Sequence, residues 1–344
     1  KEADSINVNY EALPEEMIDG TIIEEARSDA SSHSSFQREY CAQFTDGSDS
    51  YFSAKKMHDC TIPDREEPSM RIIGQSGKEY VLGIDPSFSN SPTSDFFAMT
   101  VMELDDETQH GTLVHCYAVA GGDLKDHINY LNYILTHFNI VLIVIDNAGY
   151  QFIDSANESE PFLKNKINLS FFDFNTEKEG IEYDRELRQA RMGYNRETGK
   201  ICIKQVFSTN FIRKANELLQ ADIDHKRIWF ASRITADGAI FNRVSTQKVP
   251  IKMTGHENML DLIEFQDDFV YQTKKQCSLI EVKSTSKGTQ SFDLPQHLRR
   301  SNSPNKARKD NYTTLMLANW GVKKYYDMIE TKVEANQTFS PILI

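Results

Sequence analysis

The stretch YVLGIDPSFSNSPTSDFFAMTV, Tyr80 to Val101, decides the fold. An apolar run, Tyr80-Val81-Leu82-Gly83-Ile84, ends on the carboxylate of Asp85, and a second apolar run opens at Phe96. Both have the composition of strands in a sheet interior, and Pro86, Ser87, Ser89, Asn90, Ser91 and Pro92 supply turn chemistry between them. A carboxylate at the rim of such a sheet is costly to desolvate unless a cation stands beside it.

Thr112–Ala120 reads as a third strand, completing a meander with Tyr80–Ile84 and Phe96–Leu104. The spacing then predicts a helix over Leu124–Phe138 behind Asp123 as N-cap. Ile140–Ile145, the longest apolar run at six residues, ends on Asp146 in LIVID. Three strands in a meander, a helix and a buried strand are the opening of a ribonuclease H-like α/β fold. Its central mixed sheet has helices on both faces, and its fourth strand lies beside the first. That adjacency carries Asp85 and Asp146 to one sheet edge. Like charges so placed raise one another's pKa unless a cation neutralises them, and hard oxygen ligands suit Mg²⁺ or Mn²⁺.

Two further acids belong to the same argument. KARKDNYTTLMLANW sets Asp310 early in a helix expected over Lys306–Ile329, ahead of an apolar face of Leu315, Leu317 and Trp320. There it can point at the strand ends, or it can serve only as a helix N-terminal residue. Asp95, after the turn, is a fourth acid, or an ordinary turn aspartate. Between these segments, Leu169–Phe174 and Ile201–Phe207 read as strands and Thr209–Ala221 as a helix capped by Ser208. Glu257–Cys277 reads as another helix, and Ile280–Lys283 with Thr289–Phe292 as a hairpin around Lys287-Gly288.

The net charge of −13 is unevenly spread. Residues 1–70 hold 6 Lys/Arg against 16 Asp/Glu, so −10 of it lies there and −3 in the rest. Arg185–Lys204 has six basic residues and two acids, and Lys283–Asp310 has seven and two. Basic stripes on a near-neutral body suit phosphate contacts, and equally suit solvated faces. The composition therefore divides the chain into an acidic, serine-rich part, 1–70, with one amphipathic segment at Phe36–Phe44, and a body, 71–344. Five scattered cysteines without CxxC spacing indicate neither disulfides nor zinc and point to a reducing, cytosolic compartment. No apolar run approaches the roughly 20 residues of a membrane span, and no cleavable signal is visible. Opening on Lys1, the chain reads as a fragment of something longer.

These residues resemble the nuclease domain of the large terminase subunit of tailed bacteriophages, from about Phe36 to Tyr326. The likeness is carried by FQREYCAQF then YF, by LGIDPS, by VIDNAGYQFID, and by GTQSFDLP then ARKDNYTTLMLA. It implies a metal-dependent endonuclease that cuts concatemeric viral double-stranded DNA during packaging in the cytoplasm of the infected host cell. Two divalent ions, Mg²⁺ or Mn²⁺, would be held by Asp85, Asp146 and Asp310, with Asp95 matching an acid some members add. Gly149 matches the family's glycine after the second acid; a second nearby glycine is absent here.

By the same resemblance, residues 1–70 would be the linker and trailing edge of an ATPase domain, with portal and small terminase subunit as the full-length protein's partners. Gly74–Glu79 lacks the spacing and the hydroxyl of a P-loop, so ATP hydrolysis is not expected of this chain. Backbone contacts would come from Arg185, Arg188, Arg191, Lys283, Lys287, Arg299 and Arg300, giving little sequence preference. Two other readings share the residues: another ribonuclease H-like nuclease of resolvase or transposase type, and a non-catalytic docking module on the same fold.

Overall fold

The computed structural model describes residues 50–89, 94–173, 199–232, 270–284, 290–299 and 307–337. A short helix α1 (Ala54–Asp59) precedes the sheet, and β1 (Tyr80–Asp85), β2 (Phe96–Asp105) and β3 (His110–Ala120) form the antiparallel meander. Helix α2 (Leu124–His137) follows, with the Asp123 carboxylate accepting from the amide of Lys125. The chain then returns as β4 (Ile140–Asp146), parallel to β1. Gly149 ends a 3-10 turn and leads into α3 (Tyr150–Asn157) and α4 (Glu160–Lys164).

Strands β5 (Asn168–Asp173) and β6 (Gly199–Gln205) extend the sheet in parallel beyond β4. Helix α5 (Thr209–Asp224) starts at Ser208, whose hydroxyl accepts from Phe211 N. The three-residue β7 (Ile228–Phe230) pairs with β3. The order β5-β6-β4-β1-β2-β3-β7 is a ribonuclease H-like mixed sheet. Beside it β8 (Glu281–Ser284) and β9 (Gln290–Asp293) make a separate hairpin. They precede α6 (Gln296–Arg299) and the long closing helix α7 (Asp310–Gln337).

Alternation along the strands divides the helices between the two faces. Phe97 stacks on His127 of α2 at 4.2 Å and meets Phe152 of α3 edge-on at 4.8 Å. Its neighbours in sequence face the other way: Thr100 exchanges a hydrogen bond with Thr314 of α7 at 2.7 Å. On that face α7 lies unusually low. A Cβ on Gly83 would collide with the carbonyl oxygen of Thr314 and come within 2.8 Å of the Ala318 amide nitrogen. A Cβ on Gly321 would meet Val81 at 2.7 Å and Val144 at 2.8 Å. Two missing side chains, Gly83 on the strand and Gly321 on the helix, set how closely helix and sheet approach.

Four expectations need adjusting. The last helix begins at Asp310, not Lys306, because residues 307–309 are engaged elsewhere. Arg308 donates to the Ser94 carbonyl at 3.1 Å, and Lys309 pairs with Asp293 at 3.1 Å. The sixth strand ends at Gln205 rather than Phe207, which puts Gln205 at the sheet edge. Residues 50–70, grouped by composition with the acidic first part, pack on the sheet body: Phe52, Met57 and Cys60 are buried in its core. The buried Arg71 continues this by pairing with Glu103 of β2 at 2.7 Å. The three residues of β7 and the short α1, α4 and α6 went unread. The segments Phe36–Phe44, 257–269 and the Lys287-Gly288 turn lie outside the described residues, while 270–278 are helical as expected.

Replacing Gly83 by Ala therefore tests the packing. The added methyl forces α7 off the sheet, and overpacking of this kind costs about 1–3 kcal/mol. Thermal or urea unfolding of Gly83→Ala should show a loss in that range; unchanged stability would mean the helix does not rest on Gly83.

Candidate active site

Sheet register assembles the first part of the site. β1 and β4 pair in parallel with Ile84 opposite Ile145, and the same register carried one step further sets Asp85 beside Asp146. On the far side of β4, Asp146 itself pairs with Gln205 of β6. On the other side of β1, Asp85 pairs with Ala98 of β2. Residues paired across a sheet point to the same face. Asp85 lies two residues from Gly83, so this row faces α7. The turn after Asp146 fits closely because Gly149 has no side chain: a Cβ there would lie 2.8 Å from Pro86, the residue after Asp85.

Helix α7 brings the third acid. It runs antiparallel to β1, from Gly321 over Val81 to Thr314 over Gly83, so its first residue reaches the strand's carboxyl end. Asp310 is 6% exposed, and its Oδ2 accepts from the amide of Phe96, the first residue of β2, at 2.8 Å. The helix's first amides are taken by a residue the sequence did not single out. Gln276 Oε1 accepts from Asn311 N at 2.9 Å and from Tyr312 N at 3.2 Å. That cap comes from 35 residues away, so no local capping pattern announces it. Asp310 thus ties the helix start to β2.

Electrostatics follow from the crowding. Burial pushes the Asp85 carboxyl well above the usual carboxylate range, and the charges of Asp310 and Asp146 push it further, against the nearby Lys309. Asp95, exposed on the approach to β2, adds a smaller push in the same direction. Burial raises Asp146 as well, opposed by the backbone amides of Ala148 and Asn147. In kind, carboxylate oxygens that repel one another suit a hard divalent cation. As the side chains stand, no three His, Cys, Asp or Glu groups among the described residues are arranged to hold a metal ion. The acids fit such an ion by charge and donor type, with Asp310 partly engaged by Phe96.

Of the expected cationic residues, only the side chain of Lys283 falls among the described residues. Lys283 lies on β8, with its ammonium 3.8 Å from Glu281. Arg185, Arg188, Arg191, Lys287 and Arg300 lie outside the described residues, as does the side chain of Arg299. Near the acids stand Arg308 and Lys309, two members of the Lys283–Asp310 basic stripe. Arg308 covers the Phe96 ring at 4.3 Å while holding Ser94, so it braces the loop that carries Asp95.

No family model matches the chain, and no curated protein matches it. Solved structures do. One is the large terminase nuclease from thermophilic phage G20c with bound magnesium, at TM-score 0.40 and 12% identity, covering 79% of this chain and 97% of that one. The nuclease domain of the large terminase subunit gp2 of bacterial virus Sf6 gives 0.39 and 9%, covering 78% and 98%. The HK97 bacteriophage large terminase gives 0.42 and 10%, covering 90% of this chain and 52% of that one. At such values no residue's role transfers from those proteins to this chain.

The raised Asp85 carboxyl has a consequence with a definite sign. Its ionised form costs stability in the folded state once pH exceeds the ordinary carboxylate range, and below that range both states are protonated and the cost vanishes. Asp85→Asn should therefore raise the melting temperature of the metal-free protein at neutral pH, with the gain shrinking toward pH 4. A substitution that destabilises at neutral pH would show that Asp85 is held by partners rather than crowded by charge.

Proposed function

We propose that this chain is a divalent-metal-dependent endonuclease acting on double-stranded DNA. The observation that carries the reading is the row of Asp85 and Asp146 on neighbouring parallel strands, with Asp310 delivered over it by a helix seated on Gly83. Asp85, Asp146 and Asp310 would together hold the divalent ions, with Asp85 crowded by the other two acids. When bound, such ions supply Lewis-acid activation of a water and stabilisation of the departing 3′ oxygen of a phosphodiester.

The chain's own residues do the rest. The amides of Asn147 and Ala148 favour the charged form of Asp146. The Phe96 amide holds one oxygen of Asp310, so its carboxylate keeps its direction while α7 stays docked. Lys309 offsets part of the negative charge, which eases the approach of a phosphate. Lys283 and the basic stripes offer backbone contacts that read no bases, so cutting should show little sequence preference.

The wider assignment follows the sequence resemblance. The chain would be the nuclease part of a viral DNA-packaging motor, cutting concatemers in the host cytoplasm. In the full-length protein an ATPase domain, a portal and a small terminase subunit would be its partners. The cofactor would be Mg²⁺ or Mn²⁺.

Nicking of supercoiled plasmid with Mg²⁺, Mn²⁺ or EDTA tests the reading, and Asp310→Asn sharpens it. Asn keeps an oxygen for the Phe96 amide and relieves the repulsion on Asp85, so stability in EDTA should match or exceed wild type. The lost charge should lower Mn²⁺-dependent nicking by about a hundredfold or more, the scale of removing one transition-state electrostatic contact. Near-normal nicking would remove Asp310 from the site and leave Asp95 as the acid to test.

A further inference from the structure

Beyond the acids, the same row ends on a neutral residue that no role yet explains. Gln205 is 2% exposed, and its Oε1 has no hydrogen-bond partner among the described residues. Its Nε2 donates to the Val206 carbonyl at 3.2 Å. That bond settles which end of the amide is which, because turning the group over would set two acceptors against each other. The orphan is therefore the oxygen. A buried carbonyl left unpaired is unfavourable, and such a group in a folded protein calls for a specific reason, functional or structural.

Its position says what it faces. Gln205 pairs in register with Asp146 on adjacent parallel strands, so both side chains leave the same face, toward α7. On the helix side, Asn311 of α7 is also 2% exposed, and neither its Nδ2 nor its Oδ1 has a partner among the described residues. Asn311 precedes Thr314 by three residues and Ala318 by seven, the two residues that meet Gly83, so it lies on the sheet-facing side of the helix. Two buried, unsatisfied carboxamides thus flank the acids, one from the sheet and one from the helix.

We infer that Gln205 is a metal-site residue: its Oε1 completes the cation site on the Asp146 side, binding the ion directly or through a water on it. This rests on the reading of Asp85 and Asp146 as metal-binding acids. Amide oxygens are suitable donors for hard divalent cations. A neutral donor adds a ligand where a fourth carboxylate would add repulsion to an already crowded Asp85.

The experiment is Mn²⁺ binding by titration calorimetry, with thermal melting in EDTA, on wild type, Asp146→Asn, Gln205→Leu and Gln205→Glu. Gln205→Leu removes the orphan oxygen at similar volume, so its melting in EDTA should match or exceed wild type. Its Mn²⁺ affinity should fall on the order of ten- to a hundredfold, the range for losing an accessory metal contact. Gln205→Glu keeps an oxygen donor, so it should bind Mn²⁺ at least as well as wild type while melting lower in EDTA. Wild-type affinity in Gln205→Leu, with affinity lost in Asp146→Asn, would overturn the Gln205 assignment alone. Wild-type affinity in Asp146→Asn, or no Mn²⁺ binding by wild type, would overturn the acid-site reading with it. Loss of affinity in Gln205→Glu matching that in Gln205→Leu would also count against Gln205, since its role would then be packing.

Discussion

The contact between Gly83 and the Thr314–Ala318 turn of α7 is the constraint on which the rest depends. A helix resting on side chains of ordinary size would sit farther from the sheet, and its first residue would clear the strand ends. With no Cβ at Gly83 the helix backbone touches the strand, and Gly321 repeats the device nearer the middle of the sheet. The Thr100–Thr314 hydrogen bond then fixes the helix along its axis. Asp310, one turn before Thr314, reaches the amide of Phe96 and the neighbourhood of Asp85. Geometry at the site is therefore inherited from packing some distance below it.

That packing creates an electrostatic debt. Asp85, Asp146 and Asp310 are brought together with Lys309 as a nearby opposing charge, and Lys309 is shared with Asp293. Folding drives the acids together, since hydrophobic burial along β1, β4 and α7 far exceeds the repulsion of a few partly solvated carboxylates. A site strained in this way in the metal-free state has a stored preference for cations. The unsatisfied amides of Gln205 and Asn311 point the same way, because both are polar groups the core leaves unpaired beside the acids.

Much of this was legible in the sequence, for identifiable reasons. Runs such as LIVID and VLGID are long, apolar and stopped by an acid, so both strands and their ends could be placed, and their adjacency followed from the order of elements. Asp123 and Ser208 are local caps and were readable as such. What escaped was non-local. The start of α7 depends on Arg308 and Lys309 being held by Ser94 and Asp293, and on a cap from Gln276. Gln205 looks like any polar residue at the end of a strand until register places it beside Asp146. Phe52 and Met57 sit in an acidic stretch whose composition hides their burial. The role of Gly83 is invisible until the helix that needs it is in place.

Crystals grown with Mn²⁺ and measured at the manganese absorption edge test the central claim most directly. Anomalous density is expected between Asp85 and Asp146, with a second peak toward Asp310 and the carboxamide of Gln205 turned to the first. Manganese absent from this row while bound elsewhere on the protein would contradict it, as would ions here with Asp310 still held only by the Phe96 amide and no contact to either peak.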